Sequence, residues 1–110
     1  MPTLGTYQPS NLRTLSEVEA AWFGAVLDTD GCINLLSSTQ WRITVGAVDL
    51  ELISGLLRVT GTGTIQYYNC PGKQEFWVWT AAKQAEVPAL LQRCQLYSRK
   101  AGEWCQRHHL

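Results

Sequence analysis

The sequence predicts an α+β fold in which helices cover one face of an antiparallel sheet. Three observations carry this. Apolar residues fall at helical spacing in three separate stretches, paired alternating segments read as two hairpins, and the two patterns take turns along the chain in the order α-β-β-α-β-β-α, with a further short helix expected at the end. With 110 residues, 45% of them hydrophobic, the chain can bury a core without metals or disulfides and reads as one domain over 15–110. Residues 1–14 read as an irregular arm, because Pro2, Gly5, Pro9 and Asn11 interrupt any period.

The first helix begins at "SEVE", where Ser16 caps and Glu19 stands three residues on, the spacing of a capping box. Val18, Ala21, Trp22, Ala25 and Val26 follow at helical intervals, and the helix ends between Asp28 and Gly31. Gly24 sits among them at a cost of ~1 kcal/mol relative to alanine, which suggests a close approach there. "GCINLLS" and "QWRITVGAV" form the first hairpin around a turn near Ser38 and Thr39. Asp49 then caps "DLELISGLLRVTG", which closes at Gly61. "TGTIQYYN" and "EFWVWTA", joined by "CPGK", form the second hairpin; "KQAEVPALLQRC" is a helix with Pro88 in or before its regular part, and "SRKAGEWCQRH" is the short last one.

Composition excludes some classes. No apolar run approaches the ~18 residues of a membrane span, so no membrane partner is expected. The first fourteen residues have no apolar signal core, which points to an intracellular site, cytoplasmic or, for an organelle-encoded chain, an organellar matrix. Cys32, Cys70, Cys94 and Cys105 show no CxxC pair and read as buried free thiols. His108 and His109 read as a fraying tail. Nine basic and nine acidic residues cancel, which counts against nucleic-acid binding, although the basic residues gather after Pro71.

Alternation sorts the sheet residues into two faces. With Trp41, Ile43 and Val45 towards the helices, Gln40, Arg42 and Thr44 point outward, together with Asn34, Leu36 and Ser38 from the first strand and Thr64, Gln66 and Tyr68 from the third. In the fourth strand, Phe76 and Val78 inward leave Glu75, Trp77 and Trp79 outward. Amides, hydroxyls, a guanidinium and aromatics on an open face suit contacts to nucleic-acid bases; an ordinary solvated face fits the same alternation.

The stretch "LDTDG" places Asp28 and Asp30 at a helix end, two residues apart and so pointing in different directions. A hard divalent cation often takes only one or two carboxylates with phosphate oxygens and water. Helix-end capping and an Asp-Gly turn are the alternatives.

"FGAVLDTDG", residues 23–31, resembles the signature of the LAGLIDADG homing endonucleases: Asp28, Asp30 and Gly31 match outright, and Gly24 and Ala25 take the two small positions in swapped order. The element order over roughly 16–107 resembles the same family. The resemblance implies a saddle-shaped αββαββα sheet domain that pairs with a second copy through Ala21, Gly24, Ala25 and Asp28, binds double-stranded DNA on its open sheet face, and holds Mg²⁺ or Mn²⁺ at Asp30 to cut a long, pseudo-palindromic target. Two positions depart from the family pattern, since the usual lysine and glutamine near the metal fall at Ser98 and Ala47; Arg99 and Lys100, one and two residues on, are the candidate replacements. A non-cutting DNA- or RNA-binding protein of the same fold, a maturase or regulator, is the alternative. The target sequence and the host intron or intein are not legible in these residues.

Overall fold

The computed structural model describes residues 12–109, so most of the irregular arm lies outside the described residues. Its elements are α1 (Glu17–Asp30), β1 (Gly31–Leu35), β2 (Trp41–Ala47), α2 (Leu50–Thr60), β3 (Thr64–Tyr68), β4 (Phe76–Ala81), α3 (Glu86–Cys94) and α4 (Arg99–Arg107). The predicted order holds, and the further short helix forms. Antiparallel pairing gives one sheet in the order β1-β2-β4-β3, with the helices on one face.

Local signals set the helix ends. At α1 the capping box is complete: Ser16 Oγ accepts from the Glu19 N–H, and Glu19 returns the bond to the Ser16 N–H. Asp49 caps α2, and Gly61 closes it at φ 74°, a left-handed conformation that disfavours side chains. Pro88 sits in the first turn of α3, where its missing N–H has no helical partner to lose.

The core is the layer between sheet and helices. Phe23 and Leu27 of α1, Ile53 and Leu56 of α2, and Leu90 and Leu91 of α3 close over Ile43, Val45 and Trp79. Trp79 is fully buried, meets Phe23 edge-on with centroids 5.9 Å apart, and donates its indole N–H to the Thr62 carbonyl at 3.0 Å. Beside it Thr62 Oγ1 donates to buried Glu86 Oε1, a short bond that satisfies one carboxylate oxygen at the start of α3.

The register confirms the facing of β1, β2 and β3 and corrects that of β4. Val45 pairs with Trp79 and Ala47 with Trp77, so both tryptophans face the helices, while Gly46 opposite Val78 and Thr44 opposite Thr80 lie on the open face. Phe76 joins them, paired with Tyr68. Trp77 is therefore not an open-face residue. Glu75 goes with it, since its carboxylate accepts from Tyr67, which pairs with Trp77 on the helix side. The physical reason is that "FWVWTA" is apolar at both parities, and the inward set is the one whose larger rings fill the layer beneath α1.

All four cysteines are free, but only Cys94 and Cys105 are buried; Cys32 and Cys70 are exposed, one on the open face of an edge strand and one beyond β3. Burial, helped by the neighbouring Cys105, pushes the Cys94 thiol up to about 12, so it stays protonated as a core side chain. His108 is not a loose tail: its ring stacks on Trp104 at 4.2 Å and meets Trp41 edge-on at 5.1 Å.

Candidate nucleic-acid interface and acidic helix end

The two aspartates of "LDTDG" have opposite fates. Asp28 turns into its own chain. Its Oδ1 accepts from the Ser98 hydroxyl at 2.7 Å and the Lys100 N–H at 3.1 Å, and its Oδ2 accepts from the Arg99 N–H at 2.8 Å. The carboxylate thus caps α4 from outside, alongside Ser98, whose own oxygen accepts from the Ala101 N–H. Asp28 had been expected at a dimer contact; its oxygens are instead committed within the chain. Asp30, two residues on, is exposed, and among the described residues its carboxylate has one hydrogen-bond partner, the Thr29 hydroxyl at 3.5 Å.

Desolvation pushes the Asp28 pKa up, but the bonds from Ser98, Arg99 and Lys100, with the Arg99 charge, outweigh it and hold the carboxyl below its ordinary value. A carboxylate whose folded pKa is depressed contributes stability above its unfolded pKa and loses it as pH falls through the folded value. Asp28→Asn is expected to lower unfolding stability by about 1–2 kcal/mol at pH 7. The difference from wild type should shrink below about pH 4, as wild type protonates. Urea titrations of both proteins at pH 7 and pH 3 measure this.

The small residues of α1 also divide. A Cβ placed on Gly24 would lie 2.8 Å from the Tyr97 carbonyl oxygen and 2.9 Å from its carbon, so Gly24 marks the approach of the α3–α4 connection and not an outward contact. This corrects its place on the expected dimer face. Ala25, one step round the helix, is exposed, and Ala21 is half-buried. The stripe at intervals of four, three and four is Val18, Trp22, Ala25 and Thr29, of which Val18, Ala25 and Thr29 are exposed while Trp22 is half-buried, its ring beside Gly55 of α2. Val18 is 79% exposed. That spacing was legible, but Val18 and Trp22 read equally well as core.

Of the two candidate cations, Lys100 reaches the helix end: its Nζ donates to the Gly31 carbonyl at 2.7 Å, directly after Asp30. Arg99 points along its own helix to Glu103 at 3.2 Å, and its hydrogen bond to the clamp comes from its backbone N–H. Ser98 is 4% exposed and has a capping role that a lysine would not fill. On the neighbouring strand Val45 pairs with Gly31, the first residue after the helix, and Ala47 faces the helices. No amide approaches from β2.

The open face carries Cys32, Asn34, Arg42, Thr44, Gly46, Thr64, Gln66, Tyr68, Phe76, Val78 and Thr80, with Arg42 the one charge among its described strand residues. Arg42 and Asn34 are direct cross-strand neighbours. Leu36 and Ser38 lie in the exposed β1–β2 turn, beyond the paired strands. Gln40 is half-buried, and its amide N–H is spent on the Ala82 carbonyl at 2.6 Å. Cys32, Phe76, Val78 and Thr80 are open-face residues that the expectation did not include.

No group of three or more His, Cys, Asp and Glu side chains among the described residues could enclose a metal ion, and no described helix is long and apolar enough to cross a membrane. One exposed carboxylate is still a fitting donor for Mg²⁺, which keeps several waters and takes phosphate oxygens from its substrate.

The solved structures that share this fold include homing endonucleases. I-CvuI in complex with DNA superposes with a TM-score of 0.60 at 17% identity over 74% of this chain and 57% of that one. The intron-encoded I-CeuI bound to DNA gives 0.59 at 13% identity over 78% and 47%, and the meganuclease I-SmaMI bound to uncleavable DNA gives 0.58 at 16% identity over 92% and 38%. This chain thus spans little more than half the length of I-CvuI, and less of the other two. No family model matches the chain, and no curated protein matches it in sequence.

Proposed function

We propose that the chain is one subunit of a homodimeric, divalent-metal-dependent DNA endonuclease that recognises a long, partly palindromic site and cuts both strands. The observation that carries this reading is the contrast between Asp28, fully engaged in holding α1 to α4, and Asp30, exposed at the tip of the same helix. A rigidly supported helix end presenting one uncommitted carboxylate is what a cation shared with a phosphate requires.

The outward stripe of α1 supplies the second half. Two copies related by a two-fold axis would set Val18, Trp22, Ala25 and Thr29 against the same residues of the partner, and each would bring its Asp30 to the axis. The open sheet faces would then form one surface along a duplex. Asp30 would hold Mg²⁺ or Mn²⁺, which supplies water activation and charge stabilisation in phosphodiester hydrolysis. Lys100, whose Nζ is held on the Gly31 carbonyl, would bring a positive charge to the same helix end and help to accept a phosphate. The DNA-bound structures of I-CvuI and I-CeuI, which share the fold, support the same orientation of function.

Arg42→Ala is expected to weaken DNA binding by ~1–3 kcal/mol if its guanidinium reads a base, with the loss concentrated at one position of the site. Titrating the variant against single-base substitutions of a selected site measures it. A loss equal across sequences would make Arg42 a phosphate contact.

The deciding experiment selects bound sites from a randomised duplex library and then incubates the recovered site with the protein in Mg²⁺, Mn²⁺ or Co²⁺. Cleavage of both strands is the expected result. Specific binding without cutting in any of the three would instead make the chain a non-cutting DNA-binding protein, a reading favoured by Ser98 and Ala47, which stand where the family pattern has a lysine and a glutamine.

A further inference from the structure

The open face is short of charge for a surface that lies on DNA, since Arg42 is the one charge among its described strand residues. Cations that neutralise phosphates supply much of the affinity of such contacts, so a duplex seated there needs them from the rim of the sheet. At the β1 rim they stand beside a cavity of about 290 Å³ between that edge strand and α4. Cys32 and Asn34, which belong to the open face, also line it, so the cavity opens onto that face. Its other wall is one side of α4, from Lys100 through Trp104 to Arg107.

The cavity is a trough with a direction. Lys100 Nζ meets the Gly31 carbonyl at the start of β1, and Trp104 meets Trp41, the partner of Leu35 at the end of β1, edge-on at 5.8 Å. α4 therefore runs alongside β1, away from the acidic helix tip. The edge strand adds a donor: Leu36 bonds to Gln40 across the hairpin, so alternation turns the Ile33 N–H away from β2 and to the free edge. Arg107 is the cation with most to give. Its side chain is 72% exposed, and its one ion-pair contact among the described residues, Glu103 Oε1, is 3.9 Å away, while the other oxygen of Glu103 takes Arg99 at 3.2 Å.

We propose that this trough seats the sugar-phosphate backbone of one DNA strand beside the open face, with Arg107 as a phosphate contact. The inference rests on the DNA-binding reading above. A guanidinium with uncommitted N–H groups matches the oxygens of a phosphate in two parallel bonds. Seven residues of helix separate Lys100 from Arg107, a rise of ~10 Å. A DNA strand advances ~3.4 Å per nucleotide, so the two cations meet phosphates about three nucleotides apart.

Binding of a selected duplex measured against salt concentration, in Ca²⁺, tests this with wild type, Arg107→Gln and Arg58→Gln. Arg58 is exposed and stands in the last turn of α2 as Arg107 does in that of α4, so its variant removes the same charge from an equivalent place outside the trough. Arg107→Gln is expected to flatten the slope of log affinity against log salt by about 0.9 per subunit, with an equal loss on every sequence, and Arg58→Gln to leave the slope unchanged. Replacing single phosphates by neutral methylphosphonates locates the contact. One position in each half-site should weaken wild type and not Arg107→Gln, and the matching position for Lys100→Met should lie about three nucleotides away. A slope unchanged in Arg107→Gln, or flattened equally in Arg58→Gln, overturns the proposal and leaves DNA binding standing. A wild type that binds no duplex even at low salt overturns the DNA-binding reading, and the proposal with it.

Discussion

Asp30→Asn is expected to abolish metal-dependent cleavage, by at least about 10²–10³-fold, while binding of the selected site in Ca²⁺ stays equal or becomes slightly tighter. The amide keeps the shape of the carboxylate and removes the charge that holds a hard cation. The side chain is exposed and makes one long contact with Thr29, so folding should not change. Affinity should not suffer either, because a negative charge near phosphates has gone. Nicking assays across Mg²⁺ concentrations, with binding measured in parallel, separate these effects. A variant that still cuts at the wild-type rate would remove Asp30 from the reaction.

Gly24→Leu is expected to destabilise the folded chain by about 3 kcal/mol or more, an effect on folding and not on assembly. The added Cβ meets the Tyr97 carbonyl carbon and oxygen inside ordinary contact distance, and both are backbone, which cannot swing aside as a side chain can. Ala25→Leu is the counterpart. Its side chain projects from the outer stripe of α1, so it should leave the urea midpoint of dilute protein nearly unchanged and lower the sedimenting mass. If Gly24→Leu melted with wild type while losing dimer mass, the assignment of its face would be reversed.

Much of the fold was legible because local and tertiary preferences agree. Ser16, Asp49 and Gly61 mark helix ends by their own chemistry, and "WRITV" is apolar at one parity only, so its facing follows from the residues alone. Facing failed where that agreement was missing. In "FWVWTA" both parities are apolar, and the choice is made by Phe23 and the Thr62 carbonyl, which receive Trp79 from distant parts of the chain. Likewise Gly24 and Ala25 are two small residues one step apart on α1, and what separates them is the backbone of Tyr97, more than seventy residues later. At the candidate site, the division of roles between Asp28 and Asp30 came from the family likeness, while the donors that produce it, Ser98 and the first N–H groups of α4, carry no sequence signal that ties them to an aspartate so far away.

The Asp28 clamp also has a meaning in time. It joins residues separated by 70 to 72 positions, and so distant a contact forms only after the intervening hairpins and helices have found their places. A growing polypeptide carries its acidic helix tip early, yet the groups that hold that tip still are synthesised near the end of the described chain. Until α4 has emerged, Asp28 and Asp30 are two equivalent solvated acids; afterwards one is a fastener and the other stays exposed at the helix tip. A chain interrupted before Ser98 would thus display its acids with no fixed geometry, and the proposed metal site would wait on completion of α4.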